Sequence, residues 1–159
     1  SRDALLRGQI TEVDVEGATG QRRRAFARPE TLAEDPPEPP ARLRILSPFD
    51  PALRDRDRAE HLFGFRYRIE VFVPEPKRIF GYYVFPVLEG AQLTGRIDAK
   101  AFRDASALRV RAFWPEPGVK LTKSRQARLE AELDRLARFA GCDRVEFLDG
   151  WQRDPLVRT

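Results

Sequence analysis

The segment from residue 77 to residue 83 combines cationic and aromatic side chains at a predicted turn. Lys77 and Arg78 offer positive charge, and Phe80, Tyr82 and Tyr83 follow them closely. Cations can contact phosphate oxygens, and aromatic rings can stack on bases or enter a groove. Aromatic residues at alternate positions also fill protein cores, so only one of the two adjacent tyrosines can face inward. We name Lys77, Arg78 and Tyr82 as candidates for DNA contact.

A second basic segment, Arg22, Arg23 and Arg24, lies near the start of the chain. Apolar residues at positions 10, 13 and 15, a turn at 17–20 and a returning segment at 22–27 predict a hairpin. A helix end stopped at Gly8 precedes this hairpin, and that is the order in which a winged helix finishes. The three arginines would then lie on the wing and contact phosphates, or alternatively on a solvated hairpin tip.

The most β-rich stretch predicts an antiparallel meander. Residues 65–73 carry apolar side chains at every second position, with Arg66, Arg68, Glu70 and Phe72 between them, which predicts a strand. Pro74 ends this strand because proline cannot donate to a ladder. Residues 79–88 return as a second strand, and residues 93–100 follow as a third. One face of the third strand carries polar residues: Thr94, Arg96, Asp98 and Lys100.

This charged face supplies two more candidates for DNA contact, Arg96 and Lys100. Asp98 could also face Glu70 across the strands. Neighbouring arginines, Arg96 and Arg68, would neutralise such a pair rather than leave it tuned for acid–base catalysis.

Composition and pattern divide the chain into four parts. We expect the end of a winged-helix domain at 1–33, a proline-rich extended linker at 34–42, a C-terminal domain at 43–150 and a frayed tail at 151–159. Within the third part, residues 107–114 predict a fourth strand. Thr122 caps a helix that runs to about Phe139, with an apolar stripe at Leu129, Leu133, Leu136 and Ala140. The expected fold class is α+β, a meander or partial barrel packed with one long C-terminal helix.

Composition sets broad limits on function. The net charge of +4 and an isoelectric point near 9.6 permit nucleic-acid binding, although such a charge is ordinary for 159 residues. Only four of the 29 basic residues are lysine, which fits the codon bias of a GC-rich genome. A single cysteine, Cys142, excludes an internal disulfide and fits a cytoplasmic location. The chain starts at Ser1 and contains no methionine, so we expect a fragment, a processed chain or a tagged protein.

The sequence contains no recognisable catalytic motif. The sequence has no phosphate-binding glycine loop, no dinucleotide fingerprint, no His-Glu-x-x-His motif and no cysteine cluster. The one histidine, His61, is next to Leu62 and Phe63, where a half-buried and hydrogen-bonded role is more common than catalysis. We therefore predict no catalytic residue, no metal site and no cofactor in this chain.

Many short segments between residues 46 and 98 resemble the C-terminal signature of the YcaQ/AlkZ winged-helix family. They are 46–51 (Leu-Ser-Pro-Phe-Asp-Pro), Arg56, Arg58, 62–65, 67–70, Pro74, 77–78, 81–83 and 95–98. Enzymes of this family are DNA glycosylases that act on alkylated purines and unhook interstrand crosslinks. The resemblance covers about residues 1–150 and less than half of a full family member. It implies structural roles for Asp50 and Arg56, which would pair, and for Tyr67 and Glu70.

The resemblance also implies where the chemistry lies. In the family, a Gln-x-Gln or Gln-x-Asp motif in the N-terminal half carries catalysis, and that half is not in this chain. Gln152-Arg153-Asp154 has matching letters, but it lies at the far end with a charged middle residue, and we interpret it as coincidence. An alkylated purine is already a cationic leaving group, so the enzyme must mainly position water and stabilise developing positive charge.

The expected function is the DNA-binding and structural C-terminal part of a repair glycosylase. Its expected partners are double-stranded DNA and the missing N-terminal winged-helix domains, with no membrane association and a monomeric state. Two alternatives remain open. One is a non-catalytic winged-helix regulator that binds DNA or senses a ligand, and the other is a scaffold without DNA affinity.

Overall fold

The computed structural model describes residues 2–156 and divides into two compact units. The first unit comprises the chain up to Pro39 together with Asp55–Tyr67, and the second comprises Pro40–Arg54 together with the chain from Arg68 onward. The units therefore do not follow the predicted linear boundaries, because Asp55–Tyr67 returns to the first unit. Residues 157–159 of the predicted tail lie outside the described residues.

The described chain contains five α-helices and seven strands. In order they are α1 (Arg2–Leu6), β1 (Thr11–Glu16), β2 (Arg22–Ala27), α2 (Pro29–Ala33), β3 (Leu43–Ile45), α3 (Pro51–Arg54), α4 (Arg56–Phe63), β4 (Val84–Glu89), β5 (Gln92–Phe102), β6 (Ala107–Pro115), α5 (Lys123–Phe139) and β7 (Arg144–Phe147). Short 3-10 turns occupy Glu75–Lys77 and Arg103–Ala105.

In the first unit, β1 and β2 form the predicted antiparallel hairpin, and it packs against α4. The amide of Ala18 donates to the carbonyl of His61 at 2.8 Å. The His61 ring lies with Nε2 3.1 Å from the carbonyl oxygen of Val15, which can only accept, so Nε2 carries the hydrogen. A Cβ on Gly17 would meet the His61 ring and carbonyl at 2.5 Å, so only glycine fits there. His61 therefore has the buried, hydrogen-bonded role that its context predicted.

The second unit holds a five-stranded sheet in the order β3-β4-β5-β6-β7. The third and fourth predicted strands are confirmed as β5 and β6. All neighbouring strands are antiparallel except β6 and β7, which are parallel. The parallel pair arises because α5 provides the long crossover that two parallel strands require.

One predicted strand is wrong, and another is shorter than predicted. Residues 65–73 contain no strand, and the segment predicted as 79–88 is a strand only at β4. Phe65 and Tyr67 are buried with exposed neighbours, so the alternation does mark an extended chain with one side covered. A strand also needs a hydrogen-bonding partner, and the outer edge of β4 is already paired with β3.

Helix α5 covers one face of this sheet. Thr122 caps it by accepting a hydrogen bond from the amide of Arg125 at 3.3 Å. Leu129 and Leu133 are fully buried among sheet residues that include Ile97 and Val110, and the rest of the predicted stripe packs around them. The apolar stripe therefore supplies the helix side of the core, as the spacing predicted.

Glu89, at the end of β4, connects the sheet to the first half of α5. Its carboxylate accepts a hydrogen bond from Arg125 Nε at 2.7 Å and also binds Arg128. Burial alone would raise the pKa of Glu89, but the hydrogen bonds and charges of the two arginines lower it below its usual value.

The first residues after position 150 contact the second unit's sheet. Trp151 packs on the core, and its carbonyl accepts from Phe113 N at 2.6 Å. Arg153 N then donates to the Phe113 carbonyl at 2.9 Å, so the segment adds to the edge of the sheet. Gln152, the first residue of the Gln152-Arg153-Asp154 segment, donates a hydrogen bond from its side-chain amide to Gln126 Oε1 at 3.3 Å. The predicted tail is thus ordered against β6 as far as Arg153.

Truncating the helix side of the core tests this packing. Leu133 is 0% exposed, and we expect Leu133→Ala to lower the free energy of unfolding by about 2–5 kcal/mol through a cavity. Phe139→Ala is the control on the same helix, because Phe139 is 90% exposed and its loss should change stability by less than about 0.5 kcal/mol. Urea denaturation followed by fluorescence of the second unit's Trp114 and Trp151 measures both, and equal losses would contradict the assignment.

Candidate nucleic-acid interface

A loop of residues 70–81, here called the clamped loop, is closed by one carboxylate. Glu70 is only 9% exposed, and it accepts hydrogen bonds from the amides of Ile79 (3.1 Å), Phe80 (2.9 Å) and Gly81 (3.0 Å). A buried carboxylate is costly unless it is well hydrogen-bonded, and three amide donors meet that requirement. These amides are then unavailable to a strand ladder, which explains why the predicted second strand begins only at Val84.

Further contacts hold the rest of the clamped loop. Arg78 Nε donates to the Val73 carbonyl at 2.8 Å, across the 3-10 turn Glu75–Lys77. Two prolines, Pro74 and Pro76, restrict the backbone on either side of Glu75. The exposed Lys77 side chain therefore projects from a backbone with little freedom.

Next to the clamped loop, three rings form what we call the aromatic surface: Phe49, Tyr82 and Tyr83. Tyr83 is central, with its ring centroid 6.4 Å from Tyr82 and 6.3 Å from Phe49. Its other neighbour is Phe85 on β4, at 5.4 Å. The Arg78 guanidinium lies over the Tyr82 ring, 4.9 Å from the centroid. Phe49 is 68% exposed and Tyr82 is 52% exposed, so these rings meet solvent together with a cation.

The charged face of β5 is largely covered, which corrects the expectation that it faces solvent. Arg96 is only 6% exposed, and its Nη2 lies 2.6 Å from Glu116 Oε1. Its guanidinium also packs 4.3 Å from the Phe80 ring, which meets Trp114 edge-on at 5.3 Å. The geometry gives Arg96 a supporting role beneath the clamped loop, because its charge is used inside the protein.

Asp98 lies on the same covered face. It does not oppose Glu70 across a ladder, and its Oδ2 is 3.7 Å from Arg111 Nε. A Cβ on Gly81 would come within 2.6 Å of Asp98 Oδ2, so the clamped loop approaches the carboxyl closely. Burial raises the pKa of Asp98, and the charge of Arg111 opposes this only in part.

Lys100, the last candidate on β5, is exposed. Its Nζ lies 5.4 Å from the centroid of the Phe102 ring, and the Arg109 guanidinium lies 4.5 Å from the same ring. Arg109 also pairs with Glu146 at 2.8 Å. Lys100 therefore keeps a solvent-facing charge beside an aromatic ring.

The arginines of the hairpin belong to the first unit. Arg22 lies 3.6 Å from Glu16, and Arg24 lies 3.1 Å from Glu12, both across the β1–β2 ladder. Such exposed pairs contribute about 0–1 kcal/mol and exchange readily with other anions. Arg23 makes no ion pair with any residue in the described part of the chain.

Three residues that the resemblance marks as structural, Asp50, Tyr67 and Arg56, lie in different local environments. Asp50 accepts from the amide of Ala52 at 2.9 Å and so shapes the turn that carries Phe49. Tyr67 is buried and stacks on Phe65 with centroids 6.1 Å apart. Arg56 begins α4 in the first unit, and its pairing with Asp50 stays a prediction.

Sequence reasoning missed two parts of this site. Phe49 has no predicted role, although its neighbours Ser47, Pro48 and Asp50 favour a turn, and turns generally lie at the surface. The bonding of Glu70 was also missed, because no spacing rule connects a carboxylate to amides nine to eleven residues later.

The described residues contain neither a metal-ligand cluster nor a membrane-spanning helix. Within residues 2–156, no group of three or more His, Cys, Asp or Glu side chains could hold a metal ion. No helix in the same range is long and apolar enough to cross a membrane.

Glu70→Gln tests the clamped loop. The amide side chain presents one acceptor oxygen and an NH2 group that cannot accept from backbone donors, so at least one of the three hydrogen bonds is lost. Hydrogen bonds to charged groups contribute about 1.5–3 kcal/mol, and we expect amide exchange at Ile79–Gly81 to accelerate roughly 10- to 100-fold. Amide exchange measured by NMR tests whether Glu70 holds the loop. Glu75→Gln is the control, because Glu75 lies on the same loop and is exposed. Unchanged protection in the Glu70 variant would contradict the clamp.

Asp98→Asn tests the buried carboxyl. Because its pKa is raised above 3.8 in the folded protein, the carboxyl's contribution to stability is complete below pH 3.8 and is lost as pH rises through the folded pKa. Asparagine cannot ionise. We therefore expect the difference in free energy of unfolding, Asp98→Asn minus parent, to become more positive from about pH 4 to about pH 7. Urea titrations at both pH values test this, and a difference that is constant with pH would contradict it.

Comparison with known proteins identifies the family. The family described as "DNA glycosylase AlkZ-like" matches residues 1–139, which confirms the resemblance found in the sequence. Among solved structures, the chain is similar to the Streptomyces sahachiroi DNA glycosylase AlkZ, with 24% sequence identity and a TM-score of 0.49. The similarity covers 92% of this chain and 35% of that protein, so this chain spans about a third of its length. Because the family match takes in most of its residues, this chain belongs to the AlkZ-like DNA glycosylase family.

Proposed function

We propose that this chain is the C-terminal DNA-binding and structural part of a DNA-repair glycosylase acting on alkylated purines and interstrand crosslinks. Family membership supports the repair relation. The observation that carries the DNA-binding role is the clamped loop, where Lys77 and Arg78 stand beside exposed rings on a backbone held by Glu70. A preformed cationic loop can contact phosphates with little loss of conformational entropy.

On this proposal the work is divided between two parts of a longer protein. A Gln-x-Gln or Gln-x-Asp motif outside these residues positions the water that attacks the sugar. The residues described here hold the duplex and set its register, since phosphate contacts position a protein without reading sequence. This chain alone should therefore bind duplex DNA weakly and release no base.

Other cations extend the proposed contacts. Arg22, Arg23, Arg24 and Lys100 are all exposed. The two hairpin ion pairs do not oppose this role, because a phosphate can replace an exposed carboxylate at small cost. Arg96 stays beneath the surface and supports Phe80 rather than touching DNA.

Removing the loop cations tests the proposal. Lys77→Ala/Arg78→Ala should weaken binding to a labelled duplex of about 20 base pairs and reduce the salt slope of the affinity by up to about 2. Arg78 also holds Val73, so Lys77→Ala alone is measured to separate charge from loop structure. Lys120→Ala/Lys123→Ala is the matched control, because it removes the same charge at exposed positions near the start of α5.

Fluorescence anisotropy at low and moderate salt reads out each variant. Equal losses in the two double variants would show that only net charge matters and would reject the loop as the contact. Release of an alkylated base by this chain alone would reject the proposed division of labour.

A scaffold without DNA affinity is the second candidate. It is favoured by the burial of Arg96 and by the cross-strand partners of Arg22 and Arg24. The absence of salt-dependent binding to the parent chain at low salt would select this alternative.

A further inference from the structure

We propose that the aromatic surface is a stacking site for unpaired nucleobases of DNA, with Tyr82 and Phe49 as the contacting rings. This inference rests on the proposed DNA-binding function and specifies which form of DNA that surface takes.

The first argument is the exposure of connected rings. Single exposed aromatic residues are common and need no explanation, but contiguous exposed rings mark an interaction site. Here Phe49 and Tyr82 both contact Tyr83, with centroids 6.3 and 6.4 Å away. Tyr83 in turn contacts Phe85, which is part of β4. The exposed rings are therefore supported from below by a strand of the sheet.

The second argument is that these rings are held in place before any ligand binds. Phe49 sits on a turn in which its amide donates to Ser47 Oγ at 3.2 Å and Asp50 accepts from Ala52. Tyr82 directly follows the three amides bound by Glu70 and is covered on one side by Arg78. A ring that is already ordered loses little entropy when it stacks on a ligand, which favours binding.

The third argument is charge, and it decides between DNA and an apolar protein partner. Arg78 lies over Tyr82, and Lys77 is exposed one residue away. The acidic groups near these rings in the sequence are largely engaged. Asp50 and Glu70 accept hydrogen bonds from backbone amides, and Glu89 pairs with arginines of α5. Cations interleaved with rings match a ligand that alternates phosphates with flat bases, as a single strand does.

The fourth argument concerns the state of the bases. In a paired duplex the base faces are already stacked on each other, so side-chain rings can reach them only where bases are unpaired or unstacked. An alkylated or crosslinked site is the kind of place where pairing is disturbed. The aromatic surface would then hold nucleotides beside a lesion, whereas the lysine and arginine contacts hold the flanking backbone.

The test compares two DNA ligands of the same sequence with the full 159-residue chain. One is a labelled single strand of about 12 nucleotides, and the other is the corresponding duplex. Tyr82→Ala is expected to weaken single-strand binding about tenfold and duplex binding less than about twofold, because one base stack is lost. Phe49→Ala should act in the same direction. Tyr82→Phe should bind like the parent, since it keeps the ring.

Controls separate stacking from folding and from charge. Phe139→Ala removes an exposed ring on α5, outside the aromatic surface, and should leave both affinities unchanged. Glu75→Gln removes an exposed acidic group of the clamped loop and should leave the ratio of single-strand to duplex affinity unchanged. Circular dichroism and thermal unfolding of each variant confirm that the exposed substitutions leave the fold intact.

The outcomes distinguish this inference from the function on which it rests. Selective loss of single-strand binding in Tyr82→Ala, with rescue in Tyr82→Phe, supports stacking. Equal losses on both ligands, or no loss on either, overturn the stacking site while duplex binding by the parent still supports the DNA-binding function. If the parent binds neither ligand at low salt, both proposals fail, and a protein partner is the remaining occupant of the rings.

Discussion

The carboxylate of Glu70, with its hydrogen bonds to three consecutive amides, shapes the surface of the second unit. It engages the amides of residues 79–81, which lie outside the sheet, and β4 starts at Val84. It also brings Phe80 over Arg96 and Gly81 against Asp98. One buried charge thus covers a face of β5 and leaves the following tyrosines at the surface. Its energetic cost is offset because all three donors are backbone groups already directed at it.

The charges of this protein serve two different purposes. Arg96, Arg125 and Arg128 are paired inside or against the sheet, where they offset acidic groups and connect elements. Lys77 and Lys100 remain exposed. The net charge of +4 therefore says little about binding by itself. The useful distinction is which cations have been used in folding and which still face solvent, because only the latter can neutralise a phosphate.

In the second unit, the packed core and the proposed binding surface are formed by different residues. Its core lies between α5 and the sheet, where Leu129 and Leu133 pack against β-strand residues. The aromatic surface and the clamped loop are attached to this support through β4 and through hydrogen bonds, not through a flexible tether. A binding surface on such a support is ordered in advance, which lowers the entropic cost of recognition.

The sequence by itself determined the family, the β1–β2 hairpin, the strands β5 and β6, and helix α5 with its cap at Thr122. These features follow from local periodicity, capping residues and ordered short motifs, all of which are readable along the chain. Only the tertiary structure decided that residues 65–73 form no strand, that β7 is parallel to β6 and that Arg96 is buried. The first depends on which strand pairs with β4, the second on where α5 returns the chain, and the third on Phe80 lying over it. Each is a contact between residues distant in sequence, and residue types and spacing alone do not encode the partner.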